Sequence, residues 1–86
     1  DRSDQTFKMA SRITPVSWRK LEKIFLMDGF VYKRTRGDHR LYEKPGVIRP
    51  IVIQMYDEVD DDIIHANMRT AGMSRDHYFE LLKKVK

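Results

Sequence analysis

Between Ser17 and Gly29 the apolar residues fall at helical spacing. Trp18, Leu21, Ile24 and Phe25 recur at i, i+3, i+6 and i+7, one face of a 3.6-residue period. Ser17 is a good N-cap and Gly29 can take the left-handed position past the end, so the pattern predicts a helix over Trp18–Asp28. The character then changes to aromatic and β-branched residues. Phe30–Thr35 reads as a strand with Phe30 and Tyr32 on one face, Arg36-Gly37-Asp38 as a turn, and His39–Glu43 as the returning strand. Lys44-Pro45-Gly46 is a second turn, and Val47–Met55 a third strand in which Pro50 removes a ladder donor and points to an edge or a bulge. Helical spacing returns at Ile63, Ile64, Met68 and Ala71, with Asp60 as cap and Asp61 and Asp62 on the positive end of the helix dipole. Gly72 closes that helix, with Met73 placed for the accompanying hydrophobic contact. Ser74 caps a last one carrying Tyr78, Phe79, Leu82 and Val85. The order helix, three strands, two helices predicts an α+β fold, with a three-stranded antiparallel meander covered by helices on one face.

Eighty-six residues hold one domain at most. A hydrophobic content of 41% is enough for one modest core and argues against global disorder. Asp1–Lys8 is polar; residues 1–12 are expected to be a flexible tail, native or added, and residues 13–86 the single domain. The absence of cysteine excludes disulfides and thiolate chemistry, and fits a reducing cytoplasm. No apolar run is long enough to span a membrane, and no signal-peptide pattern is seen at the start.

Charge changes the picture once it is located. Lys33–Arg49 contains six basic and two acidic residues, so the whole net charge of +4 resides in this window. Such a concentration is the footprint expected where a polyanion docks. Asp57–Asp62 is the opposite pole, with five acids in six positions. It lacks the glycine and terminal glutamate of a calcium loop, and a helix-start cluster is the simplest account.

The candidate chemistry lies in the first hairpin. An imidazole titrates near neutrality, so His39 can take a proton from a ribose 2′-hydroxyl or give one to a leaving 5′-oxygen. Nearby guanidinium groups can stabilise the charge that builds on phosphorus, and Arg34, Arg36 and Arg40 all lie within the hairpin. Alternation along strands prevents all three from sharing one face. Gly37 lets backbone approach a phosphate. Asp38 can orient the imidazole, or serve simply as a turn residue, the commoner use. The bland alternative for His39 is an exposed turn histidine. His65 and His77 have no second ligand at metal spacing and are read as ordinary helix residues. Trp18 is read as a core anchor, with base stacking as the alternative.

The succession "SWRKLEKIF", "DGF", a basic strand, "RGDH", two further strands and "AGMSRDHYFELL" resembles the HicA/YcfA-like toxins over roughly Val16–Lys84. The resemblance implies a double-stranded-RNA-binding-domain-like fold and a metal-independent ribonuclease acting on messenger RNA. It also implies a HicB-type antitoxin that holds the enzyme inactive. The family's essential histidine follows the hairpin glycine, so the resemblance implies a catalytic His39 beside Gly37 and Asp38; with the basic residues of the hairpin, the expected RNA-binding set is Lys33, Arg34, Arg36, Gly37, Asp38 and Arg40. No metal or other cofactor is expected, and the free chain is expected to be monomeric and cytoplasmic. The chain departs from many relatives in carrying Gln54-Met55-Tyr56 and then acids, where they carry a proline–histidine or basic stretch. The alternative function is a non-catalytic double-stranded-RNA-binding module. That fold docks through a lysine-rich helix start, whereas here Asp60-Asp61-Asp62 opens the helix and repels phosphate. A degenerate member kept for protein interaction is a third reading.

Overall fold

The structure, a computed structural model, describes residues 12–85. The tail expected over residues 1–12 lies outside them except for Arg12.

Helix α1 runs Trp18–Met27, and Ser17 Oγ accepts from the Lys20 amide at 3.3 Å to cap it. Asp28 is its C-cap, and Gly29 follows at φ 110°, a conformation that favours glycine. A Cβ at Gly29 would also lie 3.2 Å from the Lys44 side chain. Strands β1 (Val31–Arg36), β2 (His39–Glu43) and β3 (Ile51–Gln54) form an antiparallel sheet in the order β1-β2-β3. Helices α2 (Asp61–Ala71) and α3 (Arg75–Lys84) complete the chain. This is the α+β, double-stranded-RNA-binding-domain-like order expected from the sequence.

Two strand boundaries differ from the expectation for physical reasons, and one expected cap works through its backbone. Strand β3 is shorter than Val47–Met55: the chain from Lys44 to Pro50 is a loop, turned by Val47 N–H donating to the Lys44 carbonyl at 3.0 Å. Pro50, with no N–H to give, stands just outside the ladder, and β3 is an edge strand. Phe30 precedes β1 and donates its N–H to the Phe25 carbonyl, so its ring turns under α1. Asp60 occupies the cap of α2 but makes no side-chain cap bond; its carbonyl accepts from Ile63 and Ile64 instead. Asp61 and Asp62 lie in the first turn, as charge complementarity requires.

The sheet has a dry face and an open face. Tyr42, Ile51 and Ile53 are buried with Leu21, Ile24 and Phe25 of α1, Ile64 and Met68 of α2, and Tyr78 and Leu81 of α3. Truncating a side chain such as Ile53 to alanine costs about 2–5 kcal/mol in sites of this kind. Asn67 of α2, a buried polar residue that the helical pattern does not reveal, donates to the Val52 carbonyl at 3.0 Å and fastens α2 to β3. A bridge between Val16 and Val59, with Trp18 N–H on the Tyr56 carbonyl, joins the segment before α1 to the segment after β3.

Candidate functional site

Register decides which side chains meet. On the first hairpin Arg36 pairs with His39 across a two-residue turn, Gly37-Asp38. Gly37 takes φ 61° and no described non-glycine residue has positive φ, which fits a tight hairpin that requires glycine first. On the second ladder His39 pairs with Gln54. Arg36, His39 and Gln54 therefore form one row across the three strands. The next row on that face is Arg34, Leu41 and Val52. The alternate rows, Thr35–Arg40–Ile53 and Tyr32–Tyr42–Ile51, face the helices.

His39 is held at both ring nitrogens. Asp38 Oδ1 lies 2.8 Å from Nδ1, and Gln54 Nε2 lies 3.4 Å from His39 Nε2. An ionised carboxylate only accepts, so in the neutral ring Nδ1 carries the proton and Nε2 keeps the lone pair. The imidazole is 43% exposed, so a ligand on the sheet surface can reach the ring and compete with the long Gln54 contact at Nε2. Of the two readings of Asp38, the carboxylate geometry supports orientation of the imidazole. The turn is tied down by Met55 N–H, which donates to the Asp38 carbonyl at 2.9 Å.

The basic residues separate into free and committed groups. Arg34 and Arg36 are exposed and have no ion-pair partner among the described residues. Both stand on the face of His39. Lys33 sits where the register shifts between Tyr32 and Arg34, with its ammonium 4.0 Å from Glu43. Arg40 points the other way, away from His39. Its Nε and Nη2 donate to Glu22 Oε2 of α1 at 3.2 and 3.0 Å, and its Nε also to the Tyr42 hydroxyl at 3.0 Å. The guanidinium lies 4.2 Å from the Tyr32 ring centre and 5.3 Å from that of Trp18. Tyr42 donates to the same Glu22 oxygen, and burial followed by that bond pushes its hydroxyl far above the ordinary tyrosine range. Lys44 is likewise committed, to Asp28 at 3.2 Å. Two carboxylates of α1 thus neutralise two of the window's cations, a pairing that linear charge counting cannot see. Asp28 also holds His77 Nε2 at 2.8 Å, so His77 joins α3 to the end of α1.

Gln54 is the site residue that sequence reasoning missed. A turn centred on Pro45 would set Ile51 opposite His39; the longer loop sets Gln54 there instead. Trp18 is partly buried at the edge of the core, with Arg19 and Arg40 over its ring. His65 takes no part in the site. Among the described residues no group of three or more His, Asp or Glu is placed to hold a metal ion, and no helix is long and apolar enough to cross a membrane.

Residues 18–73, well over half the chain, match the family model of the HicA toxin of bacterial toxin–antitoxin systems. The chain belongs to the HicA toxin family. The match includes α1, the whole sheet and α2, and so contains every residue of the Arg36–His39–Gln54 row; α3 of this HicA chain lies beyond it. HicA proteins are the toxin side of toxin–antitoxin pairs, which makes an antitoxin protein the expected partner. No curated protein matches the chain.

Proposed function

We propose that this HicA toxin is a metal-independent endoribonuclease that cleaves messenger RNA on the open face of its sheet, with His39 as general base. The observation that carries the reading is the Asp38–His39 pair. It directs the Nε2 lone pair toward the sheet surface, where Arg34 and Arg36 are exposed and have no ion-pair partner among the described residues. Nε2 removes the proton of a ribose 2′-hydroxyl, and O2′ forms a bond to the adjacent phosphorus. The P–O5′ bond breaks, and O5′ leaves with a proton taken from water. The products are a 2′,3′-cyclic phosphate and a 5′-hydroxyl, and the imidazolium returns its proton to solvent. Asp38 keeps the ring in the productive tautomer, and Arg36 opposes the charge that grows on the phosphorane.

A HicB-type antitoxin fits the same surface. By covering the row that contains His39 and supplying acceptors to Arg34 and Arg36, it blocks RNA, and charge complementarity makes its association fast and salt-sensitive. The free toxin is a monomer in this reading. The alternative, a passive double-stranded-RNA binder, is disfavoured by the exposed Asp61 and Asp62 at the start of α2.

The test is purified protein and its His39→Ala variant on end-labelled messenger RNA in EDTA. The expected result is cleavage to cyclic-phosphate ends by the wild type and none by the variant. His39 is half exposed, so its stability should change by no more than about 0.5 kcal/mol. Cleavage that survives in the variant, or a large fall in its melting temperature, removes His39 from the chemistry.

A further inference from the structure

We infer that Gln54 is a second catalytic residue, whose side-chain amide donates to a non-bridging oxygen of the scissile phosphate. This deepens the ribonuclease reading and rests on it. Gln54 stands opposite His39 in the sheet, and its Nε2 reaches the imidazole Nε2 at 3.4 Å. That contact is long for a hydrogen bond. The other end of the amide is more informative, because Gln54 Oε1 is buried and has no hydrogen-bond partner among the described residues. Buried carbonyl oxygens are rarely left unpaired, and exceptions in native structures ask for an explanation. Here the cost is borne while the NH2 group is aimed at the nitrogen that takes the proton.

Substrate binding turns this resting contact into a catalytic one. The 2′-hydroxyl must donate to His39 Nε2 to be deprotonated, so it displaces the Gln54 amide from that nitrogen. The phosphate attached to the neighbouring ribose oxygen then lies beside the freed N–H. As O2′ attacks, charge accumulates on the non-bridging oxygens, and a donor already in place stabilises them without reorganisation. Arg36 does this from β1 and Gln54 from β3, on opposite sides of the imidazole. Of the β3 residues on this face, Val52 and Gln54, only Gln54 has a side-chain donor. Being neutral, it supports the phosphorane without repelling the imidazolium that forms beside it, as a lysine or arginine in its place would.

The experiment compares wild type with Gln54→Ala and the isosteric Gln54→Glu in single-turnover cleavage of an RNA with one scissile site. The scissile phosphate is either normal or a single phosphorothioate diastereomer. RNA affinity is measured in a His39→Ala background, where nothing is cut. Loss of one such donor is expected to slow cleavage about 10²–10³-fold, with RNA affinity for Gln54→Ala within about threefold of its parent. Gln54→Glu, folded but acceptor-only, should be at least as slow. Sulfur accepts poorly from an amide, so the diastereomer that turns sulfur toward Gln54 should be slowed in the wild type and should lose that extra slowing in Gln54→Ala, which changes the discrimination and leaves only the part due to Arg36. Near-normal cleavage by Gln54→Ala overturns the inference, and so does slowed cleavage with wild-type diastereomer discrimination. A wild type that cuts no RNA at all sinks the ribonuclease reading itself, a result distinct from either.

Discussion

Replacing Arg36 and Arg40 singly with glutamine should have opposite consequences, although the two lie four residues apart in one hairpin. Arg36 is exposed, has no ion-pair partner among the described residues and stands on the face of His39, so Arg36→Gln should alter stability by no more than about 0.5 kcal/mol. It should remove one phosphate contact, which on single-stranded RNA lowers the slope of log affinity against log salt by about 0.7. Arg40 is 23% exposed at its side chain and bonded twice to Glu22, itself 19% exposed. Breaking a fully buried pair costs about 3–5 kcal/mol. Partial solvation and the surviving Tyr42–Glu22 bond reduce this to about 2–3 kcal/mol. For a domain of this size that is a drop in melting temperature of roughly 10–20 °C. The assays are thermal unfolding by circular dichroism and RNA binding between low and moderate salt in a His39→Ala background, below the melting point of every variant. An Arg40→Gln protein that keeps its melting temperature, or that flattens the salt dependence as much as Arg36→Gln does, refutes the assignment of the two arginines to opposite faces.

Other perturbations separate the parts of the site and the fold. Asp38→Ala should slow cleavage about 10- to 100-fold, less than the ~10⁴ seen for buried triads because this pair is solvated; single-turnover rates read it, and an unchanged rate makes Asp38 a turn residue only. Tyr78→Phe removes a buried hydroxyl with no hydrogen-bond partner among the described residues and should leave stability at pH 7 unchanged or raise it by up to about 1 kcal/mol in urea unfolding. Burial pushes the Tyr78 hydroxyl up to about 12. Its contribution is therefore complete below the ordinary tyrosine value of about 10 and is lost as pH rises from there through the folded value, because the unfolded chain releases its proton first. The wild type should lose stability over that range more steeply than Tyr78→Phe. Gly29→Ala should destabilise by about 1–2 kcal/mol, since φ 110° strains any side chain and the Lys44 stem stands in the way; a neutral result in the same unfolding assay would mean the loop yields freely.

Local spacing made the three helices and the first hairpin legible. Each depends on neighbours within a few residues: Ser17 and Ser74 on their first turns, and Gly37 on its own φ. His39 and Asp38 were legible together because one turn holds both. What the sequence hid depends on distant contacts. Arg40 and Lys44 look available until α1 lies across the sheet with Glu22 and Asp28 against them. Gln54 looks like the end of a strand until the loop from Lys44 to Pro50 sets the register. A one-residue error in a loop's centre moves a strand's partners by two, and no local propensity corrects it.

The row Arg36–His39–Gln54 takes one side chain from each strand, and this bears on when the protein becomes dangerous to the cell that makes it. A chain emerging from the ribosome can close the first hairpin early, because its turn is two residues long. The row is complete only after Gln54 has crossed the seven-residue loop and the helices have given β3 a core to rest on. An isolated two-stranded ribbon is at best marginally stable in water. If this row is the catalytic site proposed above, nascent toxin is inert until β3 pairs, and activity arrives with sheet closure rather than with translation of His39. In that reading, the interval gives an antitoxin its opportunity to meet the toxin before the toxin can cut.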